Sequence, residues 1–471
     1  MRDGAVAAAA SLFRRAATVT PREAPAALSR RLTLLGRALA PSGGALEAVD
    51  ALEEAIGAAR AARAAGDPGW RTLFAGAVEA LATLHFERLR FVEAWRLGDA
   101  ALEEMGDLDD LDTARIRVAR SRGRTGETNE GEGWVRDCER AIDAAVAAGD
   151  DDAEYEFRRD LARARSEAGE ATAGDWVELG AIARVRNDAL TEVSARIAQA
   201  GYGMELRPAS VPDILAPARE LALARGFVER MGWIDQVIAE AALGSGDWDS
   251  AIGAGLRAVE LGERHGYDRI SVRSRTALLP AASLRGRTDA LEHASRWFGE
   301  RTGRLPDSPY GRTLYAATAL HRAAGDVGAA TVPELEHVRP AFRIWLDTGG
   351  YAWVAATDVI VDTWFAAGRL EWIDTLLAEA AAAPLSPDSP SPTTGAAFEL
   401  VRARRDLAVG GGALTAADRV REQLAILRRI DVPFWIARAI RVLEQSGAAT
   451  DADIAERAAI ETRLGVVRPT L

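Results

Sequence analysis

Residues 246–261 read Gly-Asp-Trp-Asp-Ser-Ala-Ile-Gly-Ala-Gly-Leu-Arg-Ala-Val-Glu-Leu, and this stretch belongs to a series of equally spaced glycines. Four glycines stand twenty residues apart, at Gly226, Gly246, Gly266 and Gly286. Each follows a segment with the apolar spacing of a helix and precedes another such segment, as expected where a glycine ends a helix in the left-handed conformation. A fixed period of this length is typical of a helical repeat protein with helices of about seventeen residues and tight turns.

The composition of the chain supports helix throughout. Hydrophobic residues make up 48% of the 471 residues, too many for a disordered chain. Alanine and leucine dominate, and alternating runs of valine and isoleucine are rare. The chain is too long for one compact core, whereas each repeat of a solenoid packs only on its neighbours. We therefore predict an all-α protein, a right-handed superhelical α-solenoid of roughly twenty antiparallel helices.

Two proline-rich stretches divide the predicted solenoid. Residues 207–217 contain three prolines and predict a seam between two parts of the superhelix. Residues 384–395 contain four prolines and predict a loop, with a polyproline II docking segment as the alternative. The predicted segments are N-terminal repeats over 1–206, central repeats over 207–383, the Pro/Ser-rich loop over 384–395, and C-terminal repeats over 396–471.

One pattern of large and small residues recurs along the chain. Its two clearest copies are Trp248, Ala251, Gly255 and Ala258, and Phe91, Ala94, Gly98 and Ala101. Weaker copies occur within 43–56 and 368–380. Because small residues let neighbouring helices approach closely, we expect the alanines of both clear copies to be buried at helix–helix contacts. The pattern resembles the second helix of a tetratricopeptide repeat, although Gly255 stands where that family prefers an aromatic residue and the period here is about forty residues, against 34 in that family.

A narrower resemblance lies near the C-terminal end. The segment 427–439, Leu-Arg-Arg-Ile-Asp-Val-Pro-Phe-Trp-Ile-Ala-Arg-Ala, and the closing segment 461–466, Glu-Thr-Arg-Leu-Gly-Val, look like the end of the helical region in large bacterial signalling proteins. In those proteins an effector domain, such as a cyclase or a DNA-binding domain, and a signalling NTPase module precede a tetratricopeptide-like sensor. The resemblance implies a regulatory module that acts with such an effector. Neither a nucleotide-binding core nor a cyclase core occurs here, so the catalytic activity of those proteins is not implied.

The basic residues exclude several classes of enzyme. All 58 of them are arginine. Without lysine, neither a P-loop nor a Schiff base can form, which excludes P-loop nucleotide hydrolysis and pyridoxal phosphate chemistry. The net charge of −12 disfavours direct nucleic-acid binding. A run of arginines over 115–124 follows acidic residues over 107–112, and this order predicts a solvated helix with i,i+4 ion pairs.

The cysteine content and the apolar stretches of the sequence bear on the cellular compartment of the protein. The single cysteine, Cys138, cannot form an internal disulfide and fits a reducing compartment. The apolar stretch near the start lacks the order of a signal peptide, and no apolar run reaches about eighteen residues, the length of a membrane-spanning helix. We expect a cytoplasmic protein that does not interact with a membrane.

No candidate catalytic or metal site is convincing. Glu334 and His337 have the Glu-x-x-His spacing of di-iron carboxylate proteins, but no second copy exists, so an exposed helix start is favoured. The five histidines lack metal-ligand spacing. We predict no catalytic residue, no cofactor and no metal, and a protein that is not an enzyme.

Aromatic residues are densest between 342 and 372, where a packed helical core is the favoured explanation. If some of them line a concave groove, the best candidates for partner binding are Trp345 and Trp353, with Arg343 and Arg369 nearby. The predicted function is a protein-interaction or sensor scaffold that binds a protein or peptide partner. The alternatives are a stand-alone peptide-binding adaptor and an all-helical enzyme with a buried carboxylate site.

Overall fold

The computed structural model describes the chain over the following residues: 6–106, 108, 110–128, 131–168, 170–204, 206–287, 293–294, 296–297, 351–382 and 392–467, without the side chains of 351–357 and 359. Of the described residues, 85% are helical and none is in a β-strand. The predicted all-α class is confirmed at this level.

Twenty α-helices, packed in adjacent pairs, make up the described ranges. They are α1 (Val6–Thr18), α2 (Pro25–Leu39), α3 (Ala45–Ala64), α4 (Trp70–Glu87), α5 (Phe91–Met105), α6 (Leu111–Thr128), α7 (Glu132–Ala148), α8 (Asp151–Glu167), α9 (Ala173–Val185), α10 (Ala189–Met204), α11 (Val211–Arg225), α12 (Val228–Ser245), α13 (Trp248–His265), α14 (Asp268–Leu284), α15 (Tyr351–Ala366), α16 (Leu370–Ala382), α17 (Pro392–Ala408), α18 (Ala413–Ile430), α19 (Pro433–Gln445) and α20 (Asp451–Leu464). Two short 3-10 helices, Ala40–Ser42 and Pro208–Ser210, precede α3 and α11.

The glycine series ends helices as predicted. Gly226, Gly246 and Gly266 directly follow α11, α12 and α13, and Gly286 lies two residues beyond α14. Their φ angles are 72°, 80°, 75° and 68°, in the left-handed region where a side chain is strained. The twenty-residue spacing therefore corresponds to one helix and its turn.

The recurring pattern of small residues is also confirmed. Ala94, Ala101, Ala251 and Ala258 are all buried. The two glycines of the pattern stand where the next helix comes closest. A Cβ atom on Gly98 would lie 2.6 Å from Arg120, and one on Gly255 would lie 2.6 Å from Leu278. The neighbouring helix therefore fills the space that an aromatic side chain would need.

The predicted interruption at 207–217 covers a break between α10 and α11 that ends at Ser210, and a seam between two parts of a superhelix remains a prediction. Only Pro208 lies outside an α-helix, at the start of a 3-10 helix, while α11 contains both Pro212 and Pro217. Pro212 is the second residue of α11, where no intrahelical N–H bond is lost. Most of the predicted loop at 384–395 lies outside the described residues, but its last four residues begin α17, with Pro392 at the first position.

The arginines at 115–124 pair between helices rather than along α6. Arg115 lies 2.6 Å from Glu156, and Arg120 lies 2.6 Å from Asp99. Arg122 is 1% exposed and pairs with Asp160 of α8 at 2.8 Å. The predicted i,i+4 pairing is wrong because α6 is enclosed by its neighbours and its arginines meet carboxylates on them.

The chain divides into two compact units. Unit 1 comprises Met1–Gln199, Leu215–Ile234 and Ala258–Ser271, and unit 2 comprises Ala200–Ile214, Asp235–Arg257 and Val272–Leu471. In unit 1, α4 packs against α3 and α5 and also against α2 and α6. In unit 2, α17 packs in the same way against α16 and α18 and against α15 and α19. The four segments expected from the sequence remain a prediction.

Candidate ligand-binding cavity in unit 1

Unit 1 contains a cavity of about 390 Å³, within the range of pockets that hold small organic molecules. Most of its lining residues come from α2, α4, α8, α10 and α12. These are even-numbered helices of the chain, and α6 is the one even-numbered helix in the described range from α2 to α12 that contributes no lining residue. We call this space the unit 1 cavity.

A polar stripe on α8 forms one wall of the cavity. Its members are Asp152, Tyr155, Glu156, Arg159 and Arg163. Their spacing of three or four residues places them on one face of the helix. The intervening apolar residues of α8 are buried on its other faces. A stripe that would be interpreted as one exposed helix face from sequence alone therefore lines a partly open cavity.

A second polar stripe, on α4, forms another wall. Glu79, Thr83 and Glu87 line the cavity at intervals of four residues. Arg37 of α2 lies 2.8 Å from Glu79. Burial opposes ionisation of Glu79, but Arg37 and three further arginines outweigh it and hold the pKa of this carboxyl below its usual value. Glu79 therefore carries a negative charge that neighbouring arginines already balance.

Two more carboxylates lie close together in the lining. Glu87 pairs with Arg269 at 3.7 Å, and surrounding arginines lower its pKa against the effect of burial. Glu229 accepts hydrogen bonds from Arg230 at 2.7 Å and from the indole of Trp233 at 3.3 Å. Burial and the nearby Glu87 nevertheless raise the pKa of Glu229.

The turn before α10 contributes a third group of polar residues to the lining. Asp188 accepts hydrogen bonds from Tyr155 at 3.1 Å and from the hydroxyl of Thr191 at 2.7 Å. Burial and the carboxylate raise the pKa of Tyr155 to about 12. Arg186 pairs with Asp152 at 2.8 Å and stacks over the ring of Tyr155. Each of the lining carboxylates described above is paired with a donor side chain. Glu156 likewise forms an ion pair with Arg115.

Three lining arginines have no such partner. Arg159, Arg163 and Arg225 are half-buried and make no side-chain hydrogen bond or ion pair within the described part of the chain. Burial and the nearby Arg230 lower the pKa of Arg163 to about 10. Arg159 is closer to carboxylates, and these raise its pKa although burial opposes the charge. Positive charge is therefore least compensated around Arg163.

The rest of the lining is mainly apolar. Five large hydrophobic residues that line the cavity are almost fully buried. They are Leu52, Leu84, Trp176, Leu179 and Phe227, and we call them the apolar lining. The indole N–H of Trp176 is buried without a hydrogen-bond partner in the described structure. The unsatisfied groups around the cavity are thus all donors.

The partner-binding residues predicted from the sequence stay untested. Trp345 and Arg343 lie outside the described residues, and Trp353 lies in α15 with its side chain undescribed. Arg369 is exposed, with its guanidinium 5.0 Å from the ring centre of Trp372. Sequence reasoning missed the unit 1 cavity, and the one available signal was the stripe of polar residues at helical spacing on α8.

The other sequence candidates add no second site. Glu334 and His337 lie outside the described residues. Among the described residues, no group of three metal-ligating side chains occurs and no helix is long and apolar enough to cross a membrane. Cys138 is buried, and burial raises the pKa of its thiol.

The fold and the cavity define a class, an all-α protein of paired helices whose unit 1 contains an arginine-rich cavity. Comparison with models of known protein families gives no match, and comparison with curated proteins gives no significant match. Function is therefore inferred from the cavity itself.

Proposed function

We propose that the protein is a helical-repeat sensor or binding scaffold, not an enzyme, and that unit 1 holds its ligand. The observation that carries this proposal is the unit 1 cavity, which combines an apolar lining with arginines that have no partner. A cavity of this size and chemistry fits a small organic molecule better than an extended peptide. The stand-alone peptide-binding adaptor is therefore the weaker alternative.

We further propose that the helices form a right-handed, tetratricopeptide-like solenoid. Support comes from α4 and α17, each of which contacts the helices one and two positions away in the chain, as repeats do. Together with the resemblance of segment 427–439 to bacterial signalling proteins, this suggests a cytoplasmic regulatory module. Its partner would be an effector domain such as a cyclase or an NTPase, whose activity responds to the ligand.

Filling the cavity tests the proposal. Ala80 of α4 lines it and is only partly buried, so Ala80→Trp should place a ring inside. A set of small molecules is screened for stabilisation of the full chain, since a ligand at a hundred times its Kd adds about 2.7 kcal/mol to the free energy of unfolding. We expect Ala80→Trp to abolish the stabilisation that the wild-type protein shows.

The matched control is Ala61→Trp, at an exposed position of α3. This variant should keep the wild-type response, and circular dichroism should show native helix content in both variants. Ser194→Phe, on the α10 side of the cavity, provides a second filling variant if Ala80→Trp fails to fold. Ligands that stabilise the cavity-filled and wild-type proteins equally would contradict the proposal.

A second candidate function is acid–base catalysis inside the same cavity. The pKa of Glu229 is raised while that of Glu87 is lowered, and such a split is what a general acid and a general base require. The candidate is weaker because both carboxylates already accept bonds from arginines. Turnover of a bound ligand that is lost in Glu229→Gln, with its binding retained, would favour the enzyme over the scaffold.

A further inference from the structure

We infer that Arg159 and Arg163 bind the anionic group of the ligand, a carboxylate or a phosphate, while the apolar lining holds the rest of the molecule. The inference rests on the proposed function and specifies the class of its ligand. Both arginines lie on α8, one helical turn apart, and both line the unit 1 cavity. Their Cβ atoms are therefore about 5–6 Å apart, close enough for both guanidiniums to reach one anion.

The charge arrangement favours an anion over a cation. Six carboxylates line the cavity: Glu79, Glu87, Asp152, Glu156, Asp188 and Glu229. Five of these carboxylates are paired with arginines and the sixth with two hydroxyl groups. Arg159 and Arg163 make no hydrogen bond or ion pair within the described residues, so a cationic ligand would find no carboxylate without a donor and would meet the positive charge of Arg163, the less compensated of the two.

The chemistry of the two side chains suits an oxyanion. A guanidinium presents its N–H donors in a planar fork that matches the oxygens of a carboxylate or a phosphate. The hydrogen bonds that it forms with such a group are charge-assisted and are stronger in a partly buried site than in water. The unpartnered indole N–H of Trp176, also a donor, belongs to the same lining.

Arginines without ion-pair partners in the cavity lining are more typical of a binding site than of a structural ion pair. At Arg163, which has no ion-pair partner, burial disfavours the charge and so opposes folding, whereas nearby carboxylates stabilise the charge of Arg159. Arg122, one helix away, shows the structural alternative, since it is buried and paired with Asp160. Residues that oppose stability without a structural partner are typical of sites prepared for a ligand.

Four naphthalene derivatives test the inference by calorimetric titration of the full chain. 2-Naphthoate and 2-naphthyl phosphate carry the two anionic groups, 2-naphthalenemethanol is neutral, and 2-naphthylmethylammonium is cationic. We expect at least one anion to bind at least tenfold more tightly than the alcohol, a difference of about 1.4 kcal/mol, and the cation to bind least. The tighter of the two anions identifies the group that the site recognises.

Variants of α8 locate the effect. Arg159→Gln and Arg163→Gln should each weaken binding of the preferred anion at least tenfold, while the melting temperature of the free Arg163→Gln protein stays the same or rises. Arg158→Gln is the matched control, since Arg158 is adjacent and exposed and pairs with Glu154 on the surface. It should leave anion binding unchanged.

The outcomes separate the two proposals. If the alcohol binds as tightly as both anions, or if Arg158→Gln weakens binding as much as Arg163→Gln, the anion site is wrong while the cavity still binds ligands. If none of the four probes binds at millimolar concentration, the cavity holds only water around its arginines, and both the anion site and the proposed function fail.

Discussion

Arginine is the only long cationic side chain in this protein, and at the scale of single residues its partners decide its role. In unit 1, Arg122 is 1% exposed, lies 2.8 Å from Asp160, donates to Thr83 and stacks over the ring of Trp134. It holds α4, α7 and α8 around α6. Arg163, without a partner, contributes charge to the cavity instead.

Removing the buried guanidinium should be costly. Arg122→Leu removes the ion-pair partner of the buried Asp160, for which the expected loss is about 3–5 kcal/mol in the free energy of unfolding. Urea denaturation of this variant and of the wild-type protein measures the loss in the free energy of unfolding. Arg158→Leu, which breaks an exposed pair on α8, should change stability by no more than about 1 kcal/mol. Equal effects of the two substitutions would mean that the Arg122–Asp160 pair is not buried as described.

His85 of α4 should make stability depend on pH. Burial lowers its pKa from 6.5 to about 4, since the charged imidazole is poorly solvated and its Nδ1 has no hydrogen-bond partner. The unfolded chain therefore binds more protons than the folded chain between these values, and stability falls as the pH falls. Between pH 7 and pH 5 the loss from this group should be about 2 kcal/mol. His85→Gln should show a loss smaller by that amount, and the same pH dependence in both proteins would contradict the assignment.

At the scale of elements, close helix contacts depend on glycines inside helices. A Cβ atom on Gly123 of α6 would lie 2.6 Å from the backbone nitrogen of Trp95, which cannot move aside as a flexible side chain would. Gly57 of α3, by contrast, has no atom within 4 Å of the place where its Cβ would lie. The same residue type thus marks a close contact in one helix and a free surface in another.

Alanine at these two positions should have opposite effects. Gly123→Ala should destabilise the protein by about 1–3 kcal/mol through overpacking. Gly57→Ala should stabilise it by up to about 1 kcal/mol, because alanine favours an exposed helix over glycine. Thermal unfolding followed by circular dichroism compares the two. Stabilisation by Gly123→Ala would show that α5 and α6 are further apart than the structure has them.

The alanine stripe gives a further test of the repeat pattern. Ala258 of α13 is fully buried within the core of unit 1. Ala258→Phe should therefore cost about 1–3 kcal/mol, and Ala94→Phe should behave in the same way. The control is Ala61→Phe, at an exposed position, which should have little effect. An unchanged melting temperature for Ala258→Phe would count against the pattern.

The elements were predictable because their signals are local. The left-handed glycines at 226, 246, 266 and 286 and the apolar spacing between them predict helices and turns without knowledge of tertiary contacts. The cavity was not predictable, because a polar stripe such as that of α8 looks the same whether it faces solvent or an enclosed space. Which carboxylate pairs with which arginine is also a tertiary property, so Arg159 and Arg163 could not be singled out from the sequence.

For the molecule as a whole, our main proposal is that unit 1 is built around a site for an anionic small molecule. The described helices bring apolar side chains and unpartnered arginines to one cavity from segments distant in sequence, α2 to α12. Such convergence depends on the complete unit, so the claim must be tested on the full chain.

A crystal structure of the full chain grown with 6-bromo-2-naphthoate tests this claim most directly, because anomalous scattering from bromine locates the ligand independently of the protein model. We expect a bromine peak inside the unit 1 cavity, with the ring against the apolar lining. We also expect the carboxylate within hydrogen-bond distance, about 2.7–3.2 Å, of the guanidinium of Arg163. A cavity that contains only ordered water, or a ligand bound with its carboxylate away from Arg159 and Arg163, would contradict this proposal.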